Sequence, residues 1–262
     1  SEDDEVAQTF SSFFENAVKS LDITGNQYIL TETEGIVDPV DAAIKKFEVH
    51  PSILTIKEKV NITNTFSFEK IDIDDIELEI KKLNHKKANT FNGIPTKILK
   101  ENCDICCQPL HNIFNDCIEN SVFPDELKLA DMTPVFKKYE RTADKNYRNI
   151  SVLPVCSKCF ERLMEKQITP YIDKYLSPYL CGYRKGYSAQ HALLSLLEKW
   201  KESLDNNGYA GGVLMDLSKA FDTLNHELLI VKLDAYGFSK PALKLIHDYL
   251  KNRWQRVKMN TS

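Results

Sequence analysis

Asp216 carries the side chain that its neighbours make most suitable for chemistry. It stands near the end of an apolar run at 211–217, which is typical of a short buried strand. A carboxylate at the rim of a sheet can bind Mg²⁺, because this ion takes oxygen ligands in proteins. The same residue could instead only cap the turn that follows it, and a lone Asp does not decide between the two. Nucleotidyl transfer needs further ligands, since two metal ions have to hold the attacking and leaving oxygens.

Basic residues on two upstream turns could meet the phosphates of a nucleotide. One turn is the polar stretch 137–148 and the other is the glycine-flanked stretch 182–186. The candidates on them are Lys137, Lys138, Arg148, Arg184 and Lys185. Any one of these basic residues alone is typical of a solvated surface charge. Because they lie together on turns rather than on helix faces, they are candidate phosphate contacts. Lys86 and Lys87, in a basic run at 81–87, are candidates for tracking a nucleic-acid backbone.

The elements that must position these groups are mostly helical, and the predicted fold class is α+β. Apolar periodicity predicts an amino-terminal helix with an aromatic face. Further helices are predicted near 38–47, 53–59, 73–83, 98–99, 110–118, 155–175, 188–204, 227–236 and 241–251. Strands are predicted at 66–68, 133–136, 211–217 and 254–259, with a hairpin at 137–148.

The net charge of −4 argues by itself against a nucleic-acid partner, but the charge is unevenly distributed. Residues 1–80 hold 6 Lys/Arg and 18 Asp/Glu, whereas residues 81–262 hold 28 and 20. A basic block behind an acidic segment is what a nucleic-acid surface with a separate amino-terminal segment would give. A merely solvated surface remains the alternative on charge alone.

The cysteines and the chain ends indicate where the protein works. Seven cysteines is an odd number in a chain of this size, which favours a reducing compartment. Cys103 and Cys106, like Cys156 and Cys159, have metal-like spacing, but the two pairs lie too far apart for a zinc ribbon, and no zinc is expected. The acidic start lacks the basic region of a signal peptide. Ser1 and the strand-like end predict that the sequence is part of a longer chain.

Four motifs stand in order at 146–154, 157–161, 182–188 and 215–226: NYRNISVLP, SKCFE, GYRKGYS and MDLSKAFDTLNH. They resemble motifs of reverse transcriptases from non-LTR retrotransposons (LINE- and jockey-like elements). NYRNISVLP at 146–154 is similar to the family's NYRPISLLP, and SKCFE at 157–161 to the SKIFE that follows it. GYRKGYS at 182–188 is similar to GFRKGxS, and MDLSKAFDTLNH at 215–226 to LDLSKAFDxxxH, the first catalytic motif of the palm. The stretches 88–99 and 123–138 resemble the entry motifs that precede them. The motifs occur in the family's order, which makes the resemblance specific.

The resemblance implies a right-hand polymerase that copies RNA into DNA with Mg²⁺. Residues 1–66 would be a connector after an absent endonuclease domain, 67–205 the fingers, and 206–262 the first part of a truncated palm. The partners would be an RNA template, a DNA primer and deoxynucleoside triphosphates, with no membrane. The resemblance also implies an intracellular location, nuclear or cytoplasmic.

The family's functional residues can be placed on this sequence one by one. Asp216 would bind the catalytic metal, and the Leu217 carbonyl would help to bind metal or triphosphate. Phe221 would lie against the sugar and exclude a ribose 2′-OH, or else simply pack in a core. Arg148 would contact the triphosphate with Lys137 or Lys138. Arg184, and with it Lys185, would line the template or nucleotide side of the fingers.

The departures from the family pattern bear on activity. Asn149 replaces the usual Pro beside Arg148, and Asn92 replaces the usual Asp before Gly93. The sequence contains no Tyr/Phe-x-Asp-Asp, so the second part of a two-metal site is missing. The polypeptide alone is therefore expected to be inactive. Two alternatives to an enzyme fragment stay open: a non-catalytic RNA-binding relic, and a protein-interaction module that recruits a partner through its amino-terminal helix.

Overall fold

The computed structural model describes residues 2–19, 35–84, 90, 93–217 and 219–258 of the chain. Within them ten α-helices, three strands and two short 3₁₀ helices, at Asp125–Leu127 and Asp144–Asn146, follow one another. The helices are α1 (Glu2–Lys19), α2 (Pro39–Phe47), α3 (Pro51–Lys59), α4 (Ile73–Lys82), α5 (Thr96–Glu101), α6 (Cys103–Asn120), α7 (Val155–Ile172), α8 (Ala189–Asp205), α9 (His226–Ala235) and α10 (Lys240–Leu250). The strands are β1 (Leu129–Phe136), β2 (Tyr147–Val152) and β3 (Trp254–Val257). The predicted helix-rich α+β class is confirmed at this level.

Helix starts follow local sequence signals. α2 begins at Pro39 directly after Asp38, whose Oδ1 accepts a hydrogen bond from the Val40 N–H at 3.0 Å. Proline suits the first helical position, because that position needs no N–H donor. α8 begins after Ser188, as predicted, and the Ser188 N–H donates to His191 Nδ1 at 3.1 Å. None of the described helices has the length and apolar character needed to cross a membrane.

The largest core forms where α4, α6 and α7 meet. Its centre is a stack of three phenylalanine rings, in which Phe160 of α7 lies 4.6 Å from Phe114 and 5.4 Å from Phe123. All three side chains are buried. The cysteine-rich faces of α6 and α7 belong to the same core.

A second core joins the early helices to the late ones. α2 and α9 pack together with α10, and Phe66 and Phe238 meet with ring centres 4.5 Å apart. The predicted strand at 66–68 is reduced to one parallel bridge between Phe66 and Phe238. Residues expected to form a separate connector therefore share a core with residues from the end of the chain.

β1 is the middle strand of a sheet of order β2-β1-β3. β1 and β2 form an antiparallel hairpin in which Val135 lies opposite Arg148. β3 pairs with β1 in parallel, which brings Arg256 beside the buried carboxylate of Asp131 in an ion pair. The predicted strands at 133–136 and 254–259 and the hairpin between 137 and 148 are confirmed, with shifted bounds.

The predicted buried strand at 211–217 was wrong. None of the described strands pairs with this segment, and Val213, Leu214 and Met215 are 86%, 100% and 87% exposed. An apolar composition favours burial, but a strand also needs a neighbouring strand to take its backbone hydrogen bonds. α8, which precedes this segment, likewise has no buried residue, and Leu193, Leu194 and Leu204 are largely exposed.

Phe160→Ala tests the ring stack. Deleting a ring from a closely packed core should lower the free energy of unfolding by about 3–5 kcal/mol, because a cavity remains. Urea unfolding followed by circular dichroism measures the change. Leu78→Ala, at a half-exposed position of α4, is the control and should change little. A loss below about 1 kcal/mol at Phe160 would contradict this account of the core.

Asp38 links stability to pH. Its hydrogen bond with Lys244 and its capping of α2 outweigh burial and lower its pKa from 3.8 to about 2. A lowered carboxyl pKa stabilises the fold above pH 3.8, and the effect is lost as pH falls toward 2. Asp38→Asn keeps the capping oxygen but removes the charge, so it should cost about 1–2 kcal/mol at pH 7.

Urea unfolding of both proteins between pH 7 and pH 2 measures this dependence. The difference between them should shrink steadily below pH 4. Asp116→Asn, at an exposed position on α6, is the matched control and should follow the parent at every pH. A constant difference across the range would show that the Asp38 charge is not responsible.

Candidate nucleotide and nucleic-acid site

The hairpin between β1 and β2 gathers three of the predicted phosphate contacts. Arg148 lies opposite Val135, so it shares a sheet face with Lys137 two residues further along. The Lys137 N–H donates to the carbonyl of Asn146 at 2.8 Å, which continues the pairing to the end of the hairpin. Lys137, Lys138 and Arg148 are all exposed. The structure therefore places all three residues at the loop end of one hairpin.

Two residues that the sequence did not single out hold this tip in shape. The buried side chain of Asn146 donates from Nδ2 to the Glu140 carbonyl at 2.7 Å. The Tyr147 hydroxyl donates to the Arg141 carbonyl at 2.9 Å. Both lie directly before Arg148, and their place in the NYR motif was the signal that could have identified them. The motif thus supplies a cation and the two braces of its loop.

Aromatic rings underlie the cations of the hairpin. Lys138 Nζ lies 4.7 Å from the centre of the Tyr139 ring, and the Arg141 guanidinium lies 5.2 Å from that of Phe136. Tyr139 has a φ of 71° and is 75% exposed. Exposed rings beside cations suit single-stranded nucleic acid, because bases stack on rings while phosphates meet the charges. Tyr139 and Arg141 were both missed by the sequence analysis.

Asp216, the predicted metal ligand, lies in an exposed segment outside any helix or strand. Asp216 and Leu217 follow the exposed run 211–215, and Leu217 is itself 76% exposed. Among the described residues, no three His, Cys, Asp or Glu side chains are close enough to hold a metal ion. One carboxylate and one carbonyl do not fit a two-metal centre, so no catalytic step through Mg²⁺ is derived from this arrangement.

Phe221 lies in a tight turn beyond Asp216. The Asp222 N–H donates to the Lys219 carbonyl at 2.9 Å, and the Thr223 N–H donates to the same carbonyl at 3.1 Å. The Phe221 ring stands edge-to-face to that of Tyr183, with centres 5.8 Å apart. Phe221 is 75% exposed, which does not fit the alternative of core packing. The structure therefore joins the turn at 182–186 to the segment that follows Asp216.

Arg184 is enclosed rather than presented to solvent. Its Nε donates to Asp173 Oδ1 at 2.7 Å, and the side chain is only 8% exposed. The same guanidinium donates to the carbonyls of Ser177, Leu180 and Asp173, and it stacks on Tyr187 at 4.4 Å. The hydrogen bond from Arg184 lowers the pKa of the Asp173 carboxyl. These contacts brace the loop between α7 and α8, so the predicted contact of Arg184 with template or nucleotide stays untested.

The other predicted nucleic-acid contacts have different outcomes. Lys185 is exposed on the same turn as Arg184. Lys86 and Lys87 lie outside the described residues, as does Asn92.

The amino-terminal helix lies against this region. Phe10 is buried and its ring lies 4.9 Å from that of Tyr147. One turn further along α1, Phe13 lies 5.8 Å from Lys219 Nζ. The predicted aromatic face thus packs within the chain, and it touches both the hairpin and the turn after Asp216.

The cysteines of both predicted pairs lie in or against the core between α6 and α7. Cys103 and Cys107 have their sulfurs 3.3 Å apart on α6, and Cys159 of α7 lies in the same core. Burial raises the pKa of Cys107 and of Cys159 to about 12. Thiols with such pKa values stay protonated and behave as small apolar groups.

Residues 137–262 match the family of reverse transcriptases (RNA-dependent DNA polymerases). The match begins at the basic hairpin and includes Asp216 and Phe221. This chain is related to the reverse transcriptases of non-LTR retrotransposons. The resemblance inferred from the motifs is thereby confirmed.

The chain is also similar in sequence to RNA-directed DNA polymerases from mobile elements of flies. The chain is 26% identical over 195 residues to a probable RNA-directed DNA polymerase from transposon BS of Drosophila melanogaster, covering 73% of this chain and 21% of that protein. It is 24% identical over 194 residues to the RNA-directed DNA polymerase from mobile element jockey of the same fly, covering 72% and 21%. A probable polymerase from transposon X-element is 29% identical over 156 residues, covering 57% and 17%. The chain therefore spans about a fifth of the length of these relatives.

Proposed function

We propose that this chain forms the nucleotide- and template-binding part of a non-LTR retrotransposon reverse transcriptase, an RNA-directed DNA polymerase. The observation that carries the proposal is the basic hairpin. Its three exposed cations, Lys137, Lys138 and Arg148, stand on a tip braced by Asn146 and Tyr147, in a segment related to such polymerases. Residues 67–205 would then serve as fingers and 206–262 as the first part of the palm, after a connector at 1–66.

Each proposed role follows from the chemistry of the side chain. Arg148 and Lys137 would hold the triphosphate of an incoming deoxynucleotide, since phosphate oxygens accept from guanidinium and ammonium groups. The aromatic surface around Tyr139 would receive bases of an RNA template or DNA primer by stacking. Phe221 would lie against the sugar, where a ribose 2′-OH would collide with its ring.

Asp216 would supply one oxygen ligand to Mg²⁺, with the Leu217 carbonyl beside it. Metal ions would stabilise charge on the transferred phosphoryl group in a complete polymerase. The 262 residues contain no Tyr/Phe-x-Asp-Asp, so this set of ligands is partial. This chain would therefore bind nucleotide and nucleic acid, but it would not polymerise alone.

The protein-interaction alternative is favoured by α8 rather than by α1. The aromatic face of α1 packs on Tyr147, whereas the leucines of α8 are exposed. An exposed apolar helix face of this length is typical of a surface that another polypeptide covers. This role is compatible with nucleic-acid binding, because it would use the leucines of α8 and not the cations of the hairpin.

The salt dependence of RNA binding tests the hairpin. Removing two phosphate contacts with Lys137→Ala/Arg148→Ala should weaken binding and reduce the slope of log K against log salt by about 1.4, given about 0.7 per contact for single strands. The slope is measured by fluorescence anisotropy of a labelled single-stranded RNA at salt concentrations from about 50 to about 300 mM, a range that includes physiological ionic strength.

The matched control removes the same charge elsewhere. Lys59→Ala/Lys201→Ala changes exposed lysines on α3 and α8 and should leave the slope nearly unchanged. Equal losses in the two double variants would mean that only the overall charge matters. A parent protein with no salt dependence would overturn the nucleic-acid proposal and favour the protein-interaction alternative.

Primer extension tests the proposed lack of activity. With an RNA template, a DNA primer, Mg²⁺ and all four deoxynucleotides, the chain alone should extend no more primer than Asp216→Ala does, because one carboxylate cannot complete a two-metal site. Gel analysis of labelled primer gives the result. Extension by the parent above that of the variant would refute the claim of inactivity and support Asp216 as a working ligand.

A further inference from the structure

Arg184 fixes the loop between α7 and α8 from inside. Its hydrogen bonds reach the Asp173 side chain and carbonyl at 2.7 and 3.3 Å and the Ser177 carbonyl at 3.1 Å. These groups lie at the end of α7 and in the loop that follows, so one guanidinium closes the loop upon the helix. The flat fork of an arginine can serve these acceptors at once, whereas a lysine ammonium cannot match that geometry.

The residue before Arg184 is held in an unusual backbone conformation. Tyr183 has a φ of 60°, in the left-handed region, which is uncommon for a bulky residue. Its side chain is 94% exposed, so burial does not account for this conformation. Tyr183 lies directly before the guanidinium that is hydrogen-bonded to the end of α7. The ring meets Phe221 edge-to-face.

Phe221 has an ordered backbone, but its ring is exposed to solvent. Two backbone hydrogen bonds to the Lys219 carbonyl hold the turn that contains Phe221. The side chain is 75% exposed, and an exposed phenylalanine can move among staggered rotamers. The ring of Tyr183 provides the contact that favours one of them, because edge-to-face ring pairs attract each other.

We propose that Tyr183 is a specificity-determining residue that holds the Phe221 ring in position against the sugar, and that Arg184 and Asp173 are positioning residues for Tyr183. This inference rests on the proposed function, in which Phe221 discriminates against the ribose 2′-OH. A steric filter works only when its ring cannot rotate away from the incoming hydroxyl. Loss of Tyr183 would therefore affect ribonucleotides and deoxynucleotides differently, whereas loss of a phosphate contact would weaken both alike.

The test is nucleotide binding, because it does not require polymerisation. Isothermal titration of the full chain in Mg²⁺ with dGTP and with GTP gives two dissociation constants. Their ratio, the constant for GTP divided by the constant for dGTP, measures the preference for the deoxynucleotide. The parent should prefer dGTP, and Phe221→Ala should abolish the preference. Tyr183→Ala should reduce the ratio by about three- to tenfold through tighter binding of GTP, while the affinity for dGTP stays nearly constant.

Companion variants separate ring contact from general damage. Tyr183→Phe keeps the ring and should retain the parent's ratio. Arg184→Lys and Asp173→Asn should reduce the ratio in the same direction as Tyr183→Ala, since each loosens the loop. Tyr209→Ala, which removes a fully exposed tyrosine elsewhere, is the matched control and should leave both constants unchanged.

The outcomes distinguish the inference from the function on which it rests. A parent that binds neither nucleotide, or binds both equally, overturns the proposed function and this inference with it. A preference that Phe221→Ala removes but Tyr183→Ala leaves intact overturns the role of Tyr183 alone. A ratio that falls in Tyr183→Ala and returns in Tyr183→Phe supports the inference.

Discussion

β1 is hydrogen-bonded on both sides, and buried charges pin the strand to the rest of the molecule. Lys128, just before the strand, is 2% exposed and binds Asp125 at 2.9 Å and Asp248 of α10 at 3.1 Å. Within the strand, the buried Asp131 binds Arg256 of β3. A buried charge without a partner is strongly unfavourable, so these pairs fix where β1 lies relative to α10 and β3. The basic hairpin projects from the far end of the strand and takes its direction from this anchoring.

The candidate site consists of two parts. Local hydrogen bonds position one part, and contacts between distant segments position the other. The hairpin is shaped by its own backbone pairing and by Asn146 and Tyr147, so its geometry is local. The second part, from Tyr183 to Phe221, depends on contacts between segments distant along the chain. α1 touches both parts through Phe10 and Phe13. A helix expected to belong to a separate connector therefore contributes to the surroundings of the site.

Two segments of the chain expose apolar side chains to solvent. The apolar residues of α8 and of the run 211–217 face solvent in this structure, although their sequence is that of buried elements. Burial of such surface is favourable by about 25 cal/mol per Å², so a polypeptide that covered it would gain stability. The chain spans about a fifth of the length of its curated relatives.

The sequence by itself determined the family, most of the helices and the hairpin. Amphipathic periodicity and start signals such as Ser188 are local, so they can be read from neighbouring residues alone. The motif around Arg148 likewise located the basic tip, because neighbouring strands of a hairpin are adjacent in sequence.

Tertiary structure alone decided the remainder. The parallel pairing of β1 with β3 and the contact of Tyr183 with Phe221 join residues far apart in the chain. The enclosure of Arg184 depends on how the loop after α7 folds back toward Asp173. The failure of the 211–217 strand has the same origin. Whether an apolar run becomes a buried strand depends on a partner strand for its backbone, and no property of the run itself can supply that partner.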